Sequence, residues 1–416
     1  KDKTKKIKGV ILSHGHLDHI GAAPILLQKL NYPPVVGRDL TLAMTKHKME
    51  DYQKNSSQRL KTIPVKSIDD RIKLGNFNIS FFPIEHSIMD AVGVIINTPN
   101  GTVIHPGDWT LEKDSSNKPL LSYKKLSKLP KPTILMLESL GAINDRKSPN
   151  EQQMKQNLQK IIEDAKGRVI VGTFSSQIER IGWIIQMTEK MGKKVAFDGY
   201  SMKMNIEIAK ELGYMKFKKD TVIKISEISD YPEDKVIVLC TGAQGEGNAV
   251  LSRIIDKNHK HIKLRKKDTV ILSSSIIPGN ERTIQKLKDN LYRQCDNVIH
   301  GDLMDIHVSG HGNRDDIVFM LKEINPTYFI PVYANHYMLK EAAKLAKEKV
   351  KMKEKNIFVP DNGQVITIDK KSGKATDERV PANYVFVDGL GVTDTTNIVL
   401  RDRQVLAEDG MVVVIA

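Results

Sequence analysis

Ser13-His14-Gly15-His16-Leu17-Asp18-His19 gathers three of the chain's twelve histidines and an aspartate into seven positions. The apolar run before it, Lys8–Ser13 (KGVILS), reads as a buried strand, and His19–Leu30 after it reads as a helix. Imidazole and carboxylate are the donors that zinc and related divalent metals take. An extended loop sends His14 and His16 to the same side, with Asp18 and His19 offset toward a second ion. One such cluster does not close two metal sites, so further donors must come from elsewhere. His86 follows the apolar strand Phe77–Pro83, and Asp108 follows the strand Thr102–His105. In this order and at strand ends both are expected as ligands, with Asp108 able to bridge two ions. His105 itself reads as a strand residue.

Working outward, β and α signals alternate. Gly93–Thr98 and Thr102–His105 read as strands joined by the Pro99-Asn100-Gly101 turn, and Thr133–Leu137 as another strand. From Asn150 the alternation strengthens: helix Glu151–Ala165, strand Arg168–Gly172, helix Gln177–Met191, strand Lys194–Phe197, then strands Val236–Cys240 and Thr269–Ser273. That order implies a parallel sheet covered by helices. A third phase begins near His300, with strand Asp305–Val308, helix Arg314–Ile324, strand Tyr328–Val332 and the lysine-rich helix Lys340–Lys355. Lys370–Thr376 reads as a polar turn and linker, and Tyr384–Ala416 carries new strand signals.

At 416 residues the chain exceeds one ordinary domain. Lys and Arg total 64 against 50 Asp and Glu, a formal charge of +14. This excess suits RNA, DNA or an anionic membrane, unless it only solvates a lysine-rich surface. Cys240 and Cys295 make neither a metal pair nor a disulfide framework, so a reducing cytoplasm is expected. No stretch approaches the roughly 20 apolar residues of a membrane span. The chain opens on Lys just before its first motif and stops directly after a strand-like run, so it reads as a fragment at both ends.

The complete HxHxDH cluster is the metallo-β-lactamase signature, and the rest of the chain resembles the ribonuclease J family and its β-CASP relatives. The matching stretches are HGHLDHIGAAP (His14–Pro24), LESLGA (Leu137–Ala142), TFSSQIERI (Thr173–Ile181), LCTGAQGE (Leu239–Glu246), SSSIIPGNE (Ser273–Glu281), HVSGHG (His307–Gly312) and VDGLGVTDTTNIVLRDR (Val387–Arg403). The resemblance implies an α/β protein: a metallo-β-lactamase αββα sandwich interrupted by an inserted β-CASP domain, then the start of a small C-terminal α+β domain. The expected segments are 1–144 and 302–378 for the hydrolase, 145–301 for the insertion and 379–416 for the linker and truncated last domain.

Carried over residue by residue, the resemblance makes His14, His16 and His86 ligands of a first metal and Asp18 and His19 those of a second, with Asp108 bridging. Two Zn2+ ions are implied, with Mn2+ or Mg2+ as alternatives. Glu138 matches the acidic residue that supports the metal loop, and His311 the next β-CASP histidine. The implied partner is RNA, as 5′-monophosphorylated single strands, and the implied assembly a homodimer or homotetramer. The resemblance is broken at two positions. Tyr333 stands where the family has a histidine, with His336 three residues on as a substitute donor. Glu179 stands where many relatives have histidine.

A metal-activated water is the expected nucleophile on a phosphodiester. Asp18 would orient it or take its proton, and His311 would stabilise the phosphorane or protonate the leaving 3′ oxygen. His307, Val308, Ser309, Gly310 and His311 form an expected phosphate nest. Ser175 and Ser176, just after a strand of the parallel sheet, are further binding candidates unless they cap the next helix. The expected activity is therefore metal-dependent RNA hydrolysis, 5′-3′ exonucleolytic, endonucleolytic or both, in RNA maturation and decay. Two other readings stand beside it: a non-catalytic RNA-binding or complex-forming paralogue, suggested by Tyr333 and Glu179, and a small-molecule metallo-hydrolase.

Overall fold

The HxHxDH loop hangs from the first of three short parallel strands, β1 (Val10–Ile11), β2 (Val35–Gly37) and β3 (Thr62–Pro64), in a computed structural model that describes residues 4–114, 116–145, 151–277 and 279–385. A second sheet stacks on this one. It contains β4 (Arg71–Leu74), β5 (Phe77–Pro83), β6 (Val92–Thr98), β7 (Gly101–His105), β8 (Thr133–Glu138) and, from late in the chain, β15 (Tyr328–Val332), in the order β15-β8-β7-β6-β5-β4. Period-two alternation sends Ile79, Phe81, Val92 and Val94 inward to meet Val36 of the smaller sheet.

Helices cover both outer faces. Helix α1 (Leu17–Ile20) and α2 (Ala23–Lys29) follow the metal loop, and α3 (Asp39–Tyr52) packs with α2 beside β2. The expected single helix His19–Leu30 is therefore two. Pro24 lies in the first turn of the second, where its missing N–H is tolerated. On the far side, α9 (Arg314–Ile324) and α10 (His336–Lys349) bury Ile317, Leu321, Ala342 and Leu345 against Ile104, Leu135 and Phe329. This is the αββα sandwich, and α9 belongs to it.

Between β8 and β15 the chain builds an all-parallel sheet of β9 (Val169–Gly172), β10 (Lys194–Asp198), β11 (Val222–Ile223), β12 (Val236–Cys240), β13 (Thr269–Leu272) and β14 (Asn297–His300), ordered β11-β10-β12-β9-β13-β14. Helices α4 (Glu151–Asp164), α5 (Ile178–Lys190) and α6 (Tyr200–Glu211) cover one face. Their core is continuous with that of Leu27, Leu40 and Met49 in the sandwich. Helices α7 (Val250–Ile255) and α8 (Glu281–Tyr292) cover the opposite face. Among the described residues, 360–367 and 374–385 belong to a small second unit that holds most of the paired strands β16 (Gln364–Ile368) and β17 (Gly373–Arg379).

Three local expectations are corrected. Asp305–Val308 is not a strand: the Ile306 carbonyl accepts from the Ser273 hydroxyl, and β14, just before it, is the edge strand instead. Helix α10 runs from His336 to Lys349, so it starts earlier and stops shorter than Lys340–Lys355. Lys370–Thr376 is not a linker but the turn of a hairpin and the first residues of β17, with Asp369 accepting from the backbone of Lys371 and Ser372. Most of the strand-like tail after Tyr384, and with it VDGLGVTDTTNIVLRDR, lies outside the described residues.

Candidate metal centre and active site

Four side chains converge at the mouth of the sandwich. His14 and His16 come from the loop after β1, His86 from the turn after β5, and Asp108 from the turn after β7. Their ligand atoms lie within 4.8 Å of one another. His14 is fully buried, and its Nε2 has no hydrogen-bond partner although Asp108 Oδ2 is 3.8 Å away. An orphaned buried imidazole nitrogen is costly unless something other than a protein atom satisfies it. A divalent cation held by these four residues would do so. Each neighbouring ring is turned toward the same point: His86 Nε2 lies 2.9 Å from His16 Nδ1 and 3.9 Å from Asp108 Oδ2. The other nitrogen of His86 donates to the Gly310 carbonyl at 2.7 Å, which fixes the ring and leaves Nε2 a lone-pair donor.

Protonation is set for ligation. Burial, then mutual repulsion, holds His14 far below the ordinary imidazole value. Burial chiefly pushes His16 to about 4 and His86 to about 3. All three are neutral at pH 7. Burial alone would raise Asp108, but the hydrogen bond and charge of His19, with His14 and His86, outweigh it and keep the carboxylate ionised.

Asp18, His19 and Asp108 form a second group. His19 Nε2 is 3.3 Å from Asp108 Oδ2 and 3.5 Å from Asp18 Oδ2. Burial lowers its pKa, yet Asp108 more than offsets this and the net shift is upward. Tyr333, at the end of β15, faces this group with its ring edge-on to His19, centroids 5.7 Å apart. Its phenol donates to His105 Nε2 at 2.7 Å, because His105 Nδ1 is already committed to the Met136 carbonyl at 3.0 Å. Burial and the nearby carboxylates push the Tyr333 phenol to about 12. His336, at the first turn of α10, is exposed and belongs to neither donor group.

His105 was read from sequence as an ordinary strand residue. Its register partner on β6 is Val94, so it lies at the end of β7 on the face turned to the smaller sheet, where it meets Tyr333, and only the pairing of β7 beside β8 places Met136 under its Nδ1.

The support layer comes from β8 and the HVSGHG loop. Glu138 ends β8, is 1% exposed, and accepts from the Leu140 amide. Its Oε2 stands 3.5 Å from His311 Nδ1, an ion-pair distance rather than an aligned hydrogen bond. Burial depresses the His311 pKa, but the hydrogen bond and charge of Glu138 reverse the shift and the net direction is upward. The same Glu138 is raised, mainly by burial. Gly310 admits no side chain, because a Cβ there would meet Ser87 Oγ at 2.6 Å and His86 Cε1 at 2.8 Å. Ser309 Oγ accepts from the His311 amide at 3.1 Å, and Val308 and Ser309 line the adjoining cleft.

This cleft, about 540 Å³, runs from His86 to Gln177, Glu179 and Arg180 of the insertion. Arg180 escaped the sequence reading. It is 5% exposed, and its Nη1 reaches His307 Nδ1 at 2.7 Å. Burial together with this guanidinium lowers His307 to about 3. No carboxylate makes an ion pair with Arg180 among the described residues, and its Nε lacks a partner. Ser175 and Ser176 lie in the loop between β9 and α5, outside the lining of the cleft. Neither caps α5, whose N-cap is Gln177 without a side-chain cap bond.

A buried His/Asp pocket on an αββα sandwich, interrupted by a parallel α/β insertion, defines the metallo-β-lactamase hydrolase class with a β-CASP domain. Residues 1–172 match the metallo-beta-lactamase superfamily, residues 166–291 the ribonuclease J beta-CASP domain, and residues 298–360 the Zn-dependent metallo-hydrolase RNA specificity domain. The chain is 35% identical over 417 residues to Ribonuclease J 1 of Streptococcus pyogenes serotype M3, covering 100% of this chain and 73% of that protein. It is 36% identical over 419 residues to Ribonuclease J of Thermus thermophilus, covering 99% and 72%, and 33% identical over 416 residues to Ribonuclease J2 of Bacillus subtilis, covering 100% and 74%. A crystal structure of a protein of unknown function from Enterococcus faecalis V583 shares the fold, with TM-score 0.60 at 15% identity over 90% of this chain and 83% of that one. The chain belongs to the ribonuclease J family.

Proposed function

We propose that this protein is a metal-dependent ribonuclease that hydrolyses RNA phosphodiester bonds, 5′-3′ exonucleolytically, endonucleolytically or both, in RNA maturation and decay. The observation that carries the reading is the neutral His14, His16 and His86 set against ionised Asp108, at the head of a cleft that ends on Arg180, a cation with no acidic partner among the described residues. The nitrogen-rich donor set suits Zn2+, with Mn2+ or Mg2+ as alternatives. Asp18, His19 and the shared Asp108 would hold a second ion. Bound divalent ions supply a water of depressed pKa, toward ~7, and counter-charge for phosphoryl oxygens.

The chain's own groups do the rest. Asp18 has a side chain 77% exposed to solvent, beside the donor cluster, and orients the attacking water or takes its proton. His311, whose pKa Glu138 raises against burial, stabilises the phosphorane or protonates the leaving 3′ oxygen. Glu138 is a positioning residue. The backbone of residues 307–311 and the Arg180 guanidinium grip phosphate, with Ser175 and Ser176 further along the inserted domain.

The substrate we propose is 5′-monophosphorylated single-stranded RNA, and the working form a homodimer or homotetramer. The hydrolase is assigned to residues 1–144 and 302–378, the insertion to 145–301 and the linker and last domain to 379–416. Two buried free thiols and the absence of a membrane-crossing helix among the described residues agree with a reducing cytoplasm. His14→Ala should lower RNA turnover at least ~10³-fold while the melting temperature of the folded chain survives. Equal turnover by the variant would reject the reading. The paralogue reading draws on Tyr333, whose phenol is committed to His105. It predicts tight RNA binding with no turnover by the wild-type chain.

A further inference from the structure

Positive charge is concentrated away from the metal centre. Residues 253–267 carry Arg253, Lys257, Lys260, Lys263, Arg265, Lys266 and Lys267 against one acid, Asp256, and all eight are exposed. A lysine-rich loop ordinarily solvates itself. This one is pinned at alternating inward positions. His259 donates through Nε2 to Asp198 at 2.7 Å, and its Nδ1 accepts from the amides of His261 and Ile262. Ile262 is fully buried among residues of α7 and α8, with Leu264 packed beside it. Asp268 accepts from the Arg265 amide at 3.0 Å and from Arg168 Nη2 at 2.7 Å, and the same nitrogen of Arg168 also holds the Lys263 carbonyl at 2.9 Å.

With the apolar side chains turned inward, what remains outside is a rail of cations on a fixed backbone. Arg265 is paired with Glu233. Lys260, Lys263, Lys266 and Lys267 have no acidic partner among the described residues. A protein-binding patch needs an exposed apolar or aromatic centre, and no large apolar side chain is exposed among residues 257–267. A sequence-independent phosphate backbone needs only spaced cations. The rail sits on the α7/α8 face of the parallel sheet, whereas the sandwich packs against the α4–α6 face, so the sheet separates the rail from the metal centre.

We propose that residues 257–267 are a second contact surface for the RNA phosphate backbone, reached only by substrates long enough to pass beyond the cleft and around the inserted domain. The proposal rests on the RNA-hydrolysing reading above. Its test is the full chain carrying Lys260→Ala, Lys263→Ala, Lys266→Ala and Lys267→Ala together. Binding of phosphorothioate-linked single-stranded RNA, a 40-mer and a 6-mer, is measured by anisotropy across 50–200 mM salt. Turnover of the unmodified 6-mer is measured in parallel. The 40-mer should lose at least ~10-fold in affinity at the lowest salt. Its log–log salt slope should fall by about 2.8 for four lost phosphate contacts at ~0.7 each. The 6-mer should bind and turn over as in wild type. An unchanged 40-mer affinity and slope would overturn the proposal, as would an equal loss for both lengths. If the quadruple variant melts early, the double variant Lys260→Gln with Lys267→Gln should give about half the slope change. A variant that loses binding to polyglutamate but not to the 40-mer would point to an acidic protein and also overturn it. Failure of the wild-type chain to cleave the 6-mer would count against the ribonuclease reading alone, since the slope comparison needs no turnover.

Discussion

Replacing Tyr333 by histidine should strengthen the second metal site. In the wild-type chain the phenol donates its proton to His105 Nε2, and burial with the nearby carboxylates pushes its pKa up to about 12. At pH 7 about one phenol in 10⁵ is ionised, so Tyr333 presents a proton rather than a lone pair to Asp18 and His19. A neutral imidazole with an ordinary value near 6.5 needs no such deprotonation. The position is about half exposed, so solvent screens part of this advantage. We expect second-site affinity to rise on the order of 10–100-fold rather than the full 10⁵. Isothermal titration with Zn2+ and Mn2+, backed by metal analysis after dialysis, reads this directly. Wild type should retain one tightly bound ion per chain and Tyr333→His two. Tyr333→Phe removes the bond to His105 and should weaken the second site further, whereas His336→Ala should change nothing. Equal stoichiometry and affinity in wild type and Tyr333→His would refute the reasoning, as would loss of the second ion in His336→Ala.

Other consequences follow from neighbouring contacts. Gly310→Ala drives a Cβ into His86 and Ser87, so first-site metal affinity should drop ~10–100-fold in a metal titration while the melting temperature changes little. Glu138→Gln removes the charge that raises His311 against burial, so the His311 pKa should fall. The alkaline limb of the kcat–pH profile, where the imidazolium loses its proton, should move to lower pH, with the acid limb in place. Arg180→Lys keeps the charge but loses the planar donor set on His307 and Ser273, and should raise KM for RNA ~10-fold with a smaller effect on kcat.

The sequence carries the first metal site well because its donors hang on local signals. His14 and His16 share one loop, and His86 and Asp108 each sit just past a readable apolar strand. The sandwich and the parallel insertion are legible for the same reason: strand and helix periods are local, as in β12, where Val236–Cys240 is read at its observed bounds. What escapes reading is tertiary. Arg180 looks like one of many helix cations until Ser273 and His307 close over it. His105 gains a role only when β8 lies alongside β7 and β15 brings Tyr333 across. Asp305–Val308 has strand-like composition, but its backbone is drawn away from any ladder by Ser273.

If these donors make the chain a metal-dependent ribonuclease, its hydrolysis of RNA depends on a bound metal. The protein is stripped of metal by chelation, and hydrolysis of a 5′-monophosphorylated RNA is followed before and after Zn2+ or Mn2+ is restored, beside an Asp108→Ala control. The stripped protein should not cleave, added metal should restore cleavage, and the control should not recover. Cleavage by the stripped protein, or full recovery in Asp108→Ala, would contradict it.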